Sequence, residues 1–448
     1  MDNTDNMENM ENMEEREKMT GGQNDREILP EEKAPVYANI SGNAKQPKKI
    51  SLILSIFLIV LAVLITFQTT FIVMSVNQSA KINEERGELA KYSALFDMID
   101  IFNKNYIYEV DQEAINDALL HSYAYYSGDD YAVYYNAEEW ADYFAKMSGN
   151  SVGIGVYIVQ AEEGIEIVHV MESSPALAAG LQKGDIIVAV SGQRITDIGY
   201  NEAVSLVAGE PGTQVVLTIK RDGAETDIPV TRNYYEAQTV ISYIYEREGK
   251  KIGYIYITNF YSVTPKQFKA AVNAALDEGC ESLIFDVRDN PGGELTAVCT
   301  MLDYLLPEGP IVRIFRREGD EMVLEETYRS DASETDVPMV ILTNENSASA
   351  SELFTSALRD YGKVTIIGGN TYGKGCGQTG YYVGGGCLMV TSFLYAPPFS
   401  ENYDGEGIAP DIEVKLADEY SNTNIMKLTL EEDAQLKAAL DEAFSMIK

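Results

Sequence analysis

Residues Asn344 to Thr379 read NENSASASELFTSALRDYGKVTIIGGNTYGKGCGQT, and the fold follows from this stretch. An apolar run, Val337 to Leu342, leads into it and reads as a buried strand, and SASASELF then reads as a helix start. A helix from Ser349 to Asp360 carries the chain about 17 Å away, and a strand from Lys363 to Ile367 runs back. The loop GNTYGKG therefore returns Lys374 to the N-terminus of the helix that Ser349 begins. A serine at a helix start with a glycine-flanked lysine beside it is the raw material of a Ser-Lys nucleophile pair. The same residues also fit a capping box, S-x-x-E from Ser349 to Glu352, which needs no chemistry.

Composition narrows the function classes. The 448 residues are 45% hydrophobic, as in a protein of two or more packed domains, and the formal charge of -36 argues against a nucleic-acid partner. There are two histidines, His121 in a helical stretch and His169 in an alternating strand, and neither sits in a zinc-protease motif. A hydrolase built on this chain uses lysine as its base more readily than histidine. The four cysteines, Cys280, Cys299, Cys376 and Cys387, show no metal-ligand spacing, and no phosphate-binding glycine loop opens a helix, so neither metal nor cofactor is expected. Cys376, inside GKGCGQ, reads as a small residue filling a tight loop.

Along the chain, residues 1–48 begin as a run of Asn, Glu and Met with no apolar period and read as a disordered acidic tail. No charged residue occurs from Ile50 to Ala80, and 49–76 reads as one transmembrane helix. Lys45, Lys48 and Lys49 precede it, so the positive-inside rule puts the tail in the cytoplasm. The expected protein is single-pass in the plasma membrane with everything after the span extracytoplasmic. Residues 81–150 read as helical, with apolar positions at Leu89, Tyr92, Leu95, Phe96, Ile99 and Phe102. Residues 151–234 form a compact strand-rich unit, and from 235 to 448 strands and helices alternate, which predicts an α/β core. The last helix is expected over Thr429 to Ile447.

The order NxxSASASE, ALxD, GxxTxGKGxxQ resembles the carboxy-terminal processing peptidases, or tail-specific proteases. That resemblance implies a membrane-anchored serine endopeptidase whose crotonase-like α/β spiral core follows a PDZ domain. It makes Ser349 the nucleophile, Lys374 the base and Gln378 its orienting partner. The segment DVRDNPGG matches the family's DxRxNxGG and implies an oxyanion hole made by Gly292 or Gly293 together with Ala350. The run SPALAAGLQKGDII from Ser174 resembles the PDZ signature, and by position Gly153, Ile154, Gly155 and Val156 match the loop that captures a peptide carboxylate. Apolar residues there and in the helix Glu202 to Val207 imply polypeptide substrates with apolar C-termini. The family further implies a homodimer. Ala208 departs from the arginine that many relatives carry before this glycine. The segment SGDDYAVYYNAEEW resembles the region ahead of the family's PDZ module, and its tyrosines read as core packing. Asp360, in ALxD, reads as structural. Two other readings remain: a catalytically silent PDZ scaffold at the membrane, and an acyl-transfer or hydratase enzyme on the same fold.

Overall fold

The computed structural model describes residues 61, 66–71, 74, 87, 89–331, 334–421 and 423–447. The tail expected over 1–48 and most of the span expected over 49–76 lie outside them. Among the described residues no helix is long and apolar enough to cross a membrane. The chain divides into two compact units, Met1–Glu109 and Val110–Lys448. In the first, the helix Ser93–Asn105 buries none of its residues, and Phe102 stacks on Tyr106 with ring centroids 4.7 Å apart.

The second unit is centred on a six-stranded sheet in the order Val240–Arg247, Lys250–Ile257, Ser282–Asp286, Met339–Thr343, Val364–Gly368, Ile412–Glu413. Its first pair is antiparallel and the rest are parallel. Every residue of the strands Ser282–Asp286 and Met339–Thr343 is buried, as expected for parallel strands covered on both faces. One face carries the helices Thr264–Asp277, Leu295–Leu305 and Ala350–Asp360, around Phe268, Phe285 and Phe354. The other carries Ala434–Met446, whose Leu436, Ala439, Leu440 and Ala443 meet Ile284, Val340 and Leu342. This helix starts later than its apolar pattern suggests, because Glu432 accepts from the Thr429 N–H and hydroxyl and Asp433 caps the Leu436 N–H instead.

A second, five-stranded sheet holds the hairpin Gly309–Glu318 with Glu321–Ser330 and the ribbon Cys376–Val383 with Gly386–Ala396. Its remaining strand is Val133–Tyr135, inside the stretch read as helical. Flanked by the helices Gln112–Tyr125 and Ala137–Met147, it pairs with Cys387 to Met389. Valine and tyrosine favour this extended pairing once a partner edge is present.

Residues 156–231 form their own sheet, with the strands Val156–Ala161, Gly164–Val170, Ile186–Val190, Gln214–Arg221 and Ala224–Thr231 in order, over a core of Ile165, Ile167, Leu181, Ile187, Leu217 and Ile219. Val156–Ala161 is an edge strand. The incoming and outgoing segments, Asn150–Gly153 and Asn233–Glu236, pair with each other at the base of this sheet.

A buried ion cluster was not legible in the sequence. Arg288 is 1% exposed, and its guanidinium binds Asp286 at 2.6 Å, Asp433 at 2.9 Å and Gln435 at 3.0 Å. Tyr254 donates to Asp286 at 2.7 Å. The cluster ties the end of a central strand to the start of the terminal helix. Arg288→Ala would leave two carboxylates buried without a counter-charge and is expected to lower unfolding free energy by about 3–5 kcal/mol. Urea denaturation measures it, and a loss under about 1 kcal/mol would show that the cluster does not hold these elements.

Candidate active site

Two loops are stitched together at the C-terminal ends of the central strands. Asn344 donates to Asp289 at 2.8 Å and accepts from its N–H at 2.9 Å. The Ser347 hydroxyl donates to Val287 O and the Ser351 hydroxyl to Asn290 O, each at 2.8 Å, and both serines are fully buried. Of the three serines in SASAS, two are therefore spent on structure, and Ser349 alone faces the cleft described below. Its backbone, at φ 55° and ψ -114°, lies in a strained region that a non-glycine residue seldom occupies.

Glu352, one turn into the same helix and fully buried, holds this arrangement. One carboxylate oxygen accepts from Ser349 N–H and Lys374 N–H, both at 2.8 Å, and the other from Thr371 Oγ1 at 2.6 Å and Gly373 N–H at 2.7 Å. The sequence reading as a capping box is thus half of a larger role: the carboxylate that caps the helix also binds the returning loop.

Lys374 Nζ donates to Gln378 Oε1 at 3.0 Å and lies 4.2 Å from the centroid of the Tyr131 ring. Gln378 Nε2 in turn donates to Tyr131 O at 2.7 Å. Burial lowers the Lys374 pKa, opposed by neighbouring Cys376 and by the carboxylates of Asp129, Asp404 and Glu352. Ser349 Oγ lies 3.4 Å from Tyr395 Oη, which also donates to Lys374 O at 2.7 Å. Among the described residues no hydrogen bond joins Ser349 Oγ to Lys374 Nζ. Cys376 is buried, and burial pushes its thiol up to about 11, so the tight-packing reading fits better than a reactive one. Asp360 accepts from Phe399 N–H at 2.7 Å and Ser400 N–H at 2.8 Å, a loop-holding role. His121 binds Asp117 O and Glu139, and His169 binds Gln238.

Gly292 packs against the Ser349 loop so closely that an added Cβ would lie 2.8 Å from Ser349 Cβ and 2.9 Å from Ala350 N. Its N–H is taken by Asn290 Oδ1 at 2.9 Å. Gly293 N–H and Ala350 N–H have no partner among the described residues. A cleft of about 320 Å³ opens beside Ser349, Gly293 and Ala350, walled by Tyr143, Met147, Leu295, Leu353, Met389 and Phe393. Among the described residues no cluster of His, Cys, Asp and Glu could hold a metal ion.

Just ahead of the edge strand Val156–Ala161, the Ile154 and Gly155 carbonyls accept from Ala176 and Met171 N–H, at 2.8 and 3.1 Å. Gly155 has φ 75°, and a Cβ there would stand 2.4 Å from Ser174 Cβ, so the turn requires glycine. Ile154 is buried, and Val156 begins the edge strand. Beside the departure at Ala208, Arg232 caps the helix Tyr200–Val207, donating to Val207 O at 2.8 Å and Leu206 O at 2.7 Å. Tyr157 on the edge strand reaches the core, donating to Gln238 O at 2.7 Å with Thr258 Oγ1 at 3.0 Å.

Residues 251–414 match Peptidase family S41 and residues 152–231 match the PDZ domain family. A probable CtpA-like serine protease of Staphylococcus epidermidis is 31% identical over 370 residues, covering 82% of this chain and 74% of that protein. One from Staphylococcus aureus strain N315 is 30% identical over 345 residues, covering 77% and 68%. A solved structure of the photosystem II D1 C-terminal processing protease aligns with a TM-score of 0.44 and 24% identity, over 71% of this chain and 86% of that one. The sequence matches make this a serine-type endopeptidase. The chain belongs to the S41 family of C-terminal processing peptidases and carries a PDZ domain.

Glu352→Gln would turn an amide N–H₂ toward at least one backbone donor that now meets a carboxylate. It is expected to cost about 3 kcal/mol of stability and to lower kcat/KM at least about a hundredfold. Denaturation and peptide-cleavage assays read both, and a fully active variant would remove the carboxylate from the assembly of the site.

Proposed function

We propose that this endopeptidase cleaves extracytoplasmic polypeptides through an acyl-enzyme on Ser349, with Lys374 as the proton acceptor. Ser349 Oγ attacks the scissile carbonyl while the neutral Lys374 amine takes its proton and passes it to the leaving amine. Water then attacks the ester, giving its proton to the same amine, which returns a proton to Ser349 Oγ as the acyl–oxygen bond breaks and the new carboxyl terminus leaves. Gln378 Oε1 accepts only, so it engages a lysine N–H and leaves the nitrogen lone pair for the serine proton. The observation that carries this reading is the Lys374 amine, held by a neutral amide at 3.0 Å and with its pKa lowered by burial, on a loop that shares the Glu352 carboxylate with Ser349. The direct Ser349–Lys374 contact belongs to the substrate complex, where catalytic hydrogen bonds tighten. Gly293 and Ala350 are the oxyanion donors of this proposal, since Gly292 N–H already serves Asn290.

In the same proposal the PDZ domain takes the substrate C-terminus. The Gly153–Val156 turn receives the carboxylate, and the edge strand Val156–Ala161 pairs with the peptide backbone. One helix over 49–76 anchors the enzyme in the plasma membrane with the tail in the cytoplasm and the catalytic unit outside, and two copies associate as a homodimer.

Ser349→Ala and Lys374→Ala in the full chain are each expected to lower kcat/KM by about four orders of magnitude with the circular dichroism unchanged. Because the working base is the neutral amine, activity rises with pH through the Lys374 pKa, below the free-lysine value of 10.5. An active Lys374→Ala protein, or a rate that is flat from pH 6 to 10, would sink the assignment. For the PDZ domain, a peptide with an apolar C-terminal residue is expected to bind at least about tenfold more weakly once its carboxylate is amidated. Equal binding in calorimetry would take the carboxylate out of recognition.

A further inference from the structure

Tyr131 belongs to none of the catalytic motifs, yet it touches both Lys374 and the Gln378 amide that orients it. Taking Lys374 as the proton acceptor, as above, we infer that Tyr131 is a positioning residue whose main-chain carbonyl and ring face together hold the Gln378 amide and the Lys374 amine in the orientation proton transfer needs.

The carbonyl acts on the amide. It accepts from Gln378 Nε2 at 2.7 Å and cannot donate, so the opposite end of the amide, Oε1, must face Lys374, where it stands 3.0 Å from Nζ. A flipped amide would set oxygen against oxygen on one side and donor against donor on the other. The ring acts on the amine. Nζ lies 4.2 Å from its centroid, within the range where the negative face of an aromatic ring attracts a cation and is nearly indifferent to a neutral amine. Burial alone can depress a lysine far enough to make it a poor base, and the ring returns part of the stabilisation that lost hydration removes.

The loop bearing Tyr131 is fixed to the strand that faces Gln378. Asp129 accepts from Tyr131 N–H at 3.0 Å and from both the N–H and the hydroxyl of Thr391 at 2.8 Å, and Thr391 is the ladder partner of Gln378. Burial would raise the Asp129 carboxyl, but these hydrogen bonds and the Lys374 charge bring it below its ordinary value, so it stays ionised. Other groups also face Lys374: Glu352 from the nucleophile helix, Asp404 from the loop after the strand Gly386–Ala396, Asp129 from the Tyr131 loop, Cys376 from its own strand and Tyr395 through its hydroxyl. Tyr372, which hydrogen-bonds the ring hydroxyl, Cys376 and Asp404 face Tyr131. None of these is altered when only the ring face is weakened, which isolates the effect of the ring.

The test is the titration of Lys374 itself, in the full chain carrying Ser349→Ala, with lysine Nζ labelled by nitrogen-15 and the Lys374 resonance identified by its loss in Lys374→Arg. Tyr131 is replaced by phenylalanine, by phenylalanines of increasing fluorination, which keep the shape while weakening the ring face, and by leucine. Phenylalanine is expected to titrate with the parent, the fluorinated series progressively lower, and leucine lower by about one pH unit. If phenylalanine and its fluorinated forms titrate together, the ring does not act on the amine and the proposal falls; the fluorinated series keeps this outcome readable even if leucine unfolds the protein. With Ser349 restored, the acid limb of kcat/KM is expected to follow the same shifts. A Lys374 titration that moves while the acid limb stays put would uphold the Tyr131 contact and overturn Lys374 as the base.

Discussion

A single buried carboxylate holds this active site together. Glu352 meets four donors, three of them the backbone N–H groups of Ser349, Gly373 and Lys374. A charge in a site with no exposed surface is tolerable only when so fully hydrogen-bonded, and it sits in the first turn of a helix, where the dipole favours a negative group. The strained backbone at Ser349 is held by the same bonds. The main chain at Ser349 and Lys374 is thus set by one carboxylate, while the Lys374 amine is held separately by Gln378.

The core sheet repeats this use of buried charge. Arg288 joins the strand leading to the Gly292–Gly293 turn with the terminal helix on the opposite face, so the glycines at 292 and 293 are braced from behind while the Phe260 backbone braces them from the front, at 3.0 Å to Gly292 O and 2.7 Å from Glu294 N–H. In each case a polar tie between segments far apart in sequence fixes a loop that apolar packing alone would leave loosely defined.

What could be read from the sequence was local. Ser349 and Lys374 are brought together by one helix and one returning strand, whose periodicities are plain, and the motif resemblance named both. The α/β alternation and the strand-rich unit from 151 were equally visible. Three features were not. Gln378 and Tyr131 are 247 positions apart, and their contact depends on the pairing of Val133–Tyr135 with a late strand, which no local pattern announces. Glu352 read only as a helix cap, because burial of a carboxylate is decided by what folds over it. The choice between Gly292 and Gly293 rests on the Asn290 side chain, which takes one N–H and leaves the other.

The pairing of Val133–Tyr135 with Cys387 to Met389, together with the tie from Asp129 to Thr391, bears on when the enzyme can first act. The lysine's surroundings are finished by residues far apart in sequence, and the turn at Gly292 and Gly293 is braced through Arg288 by Asp433. A growing polypeptide carries Ser349 long before it carries these partners. In the order of synthesis the surroundings of Ser349 and Lys374 are therefore assembled late, only after the partners of Tyr131 and Arg288 have emerged.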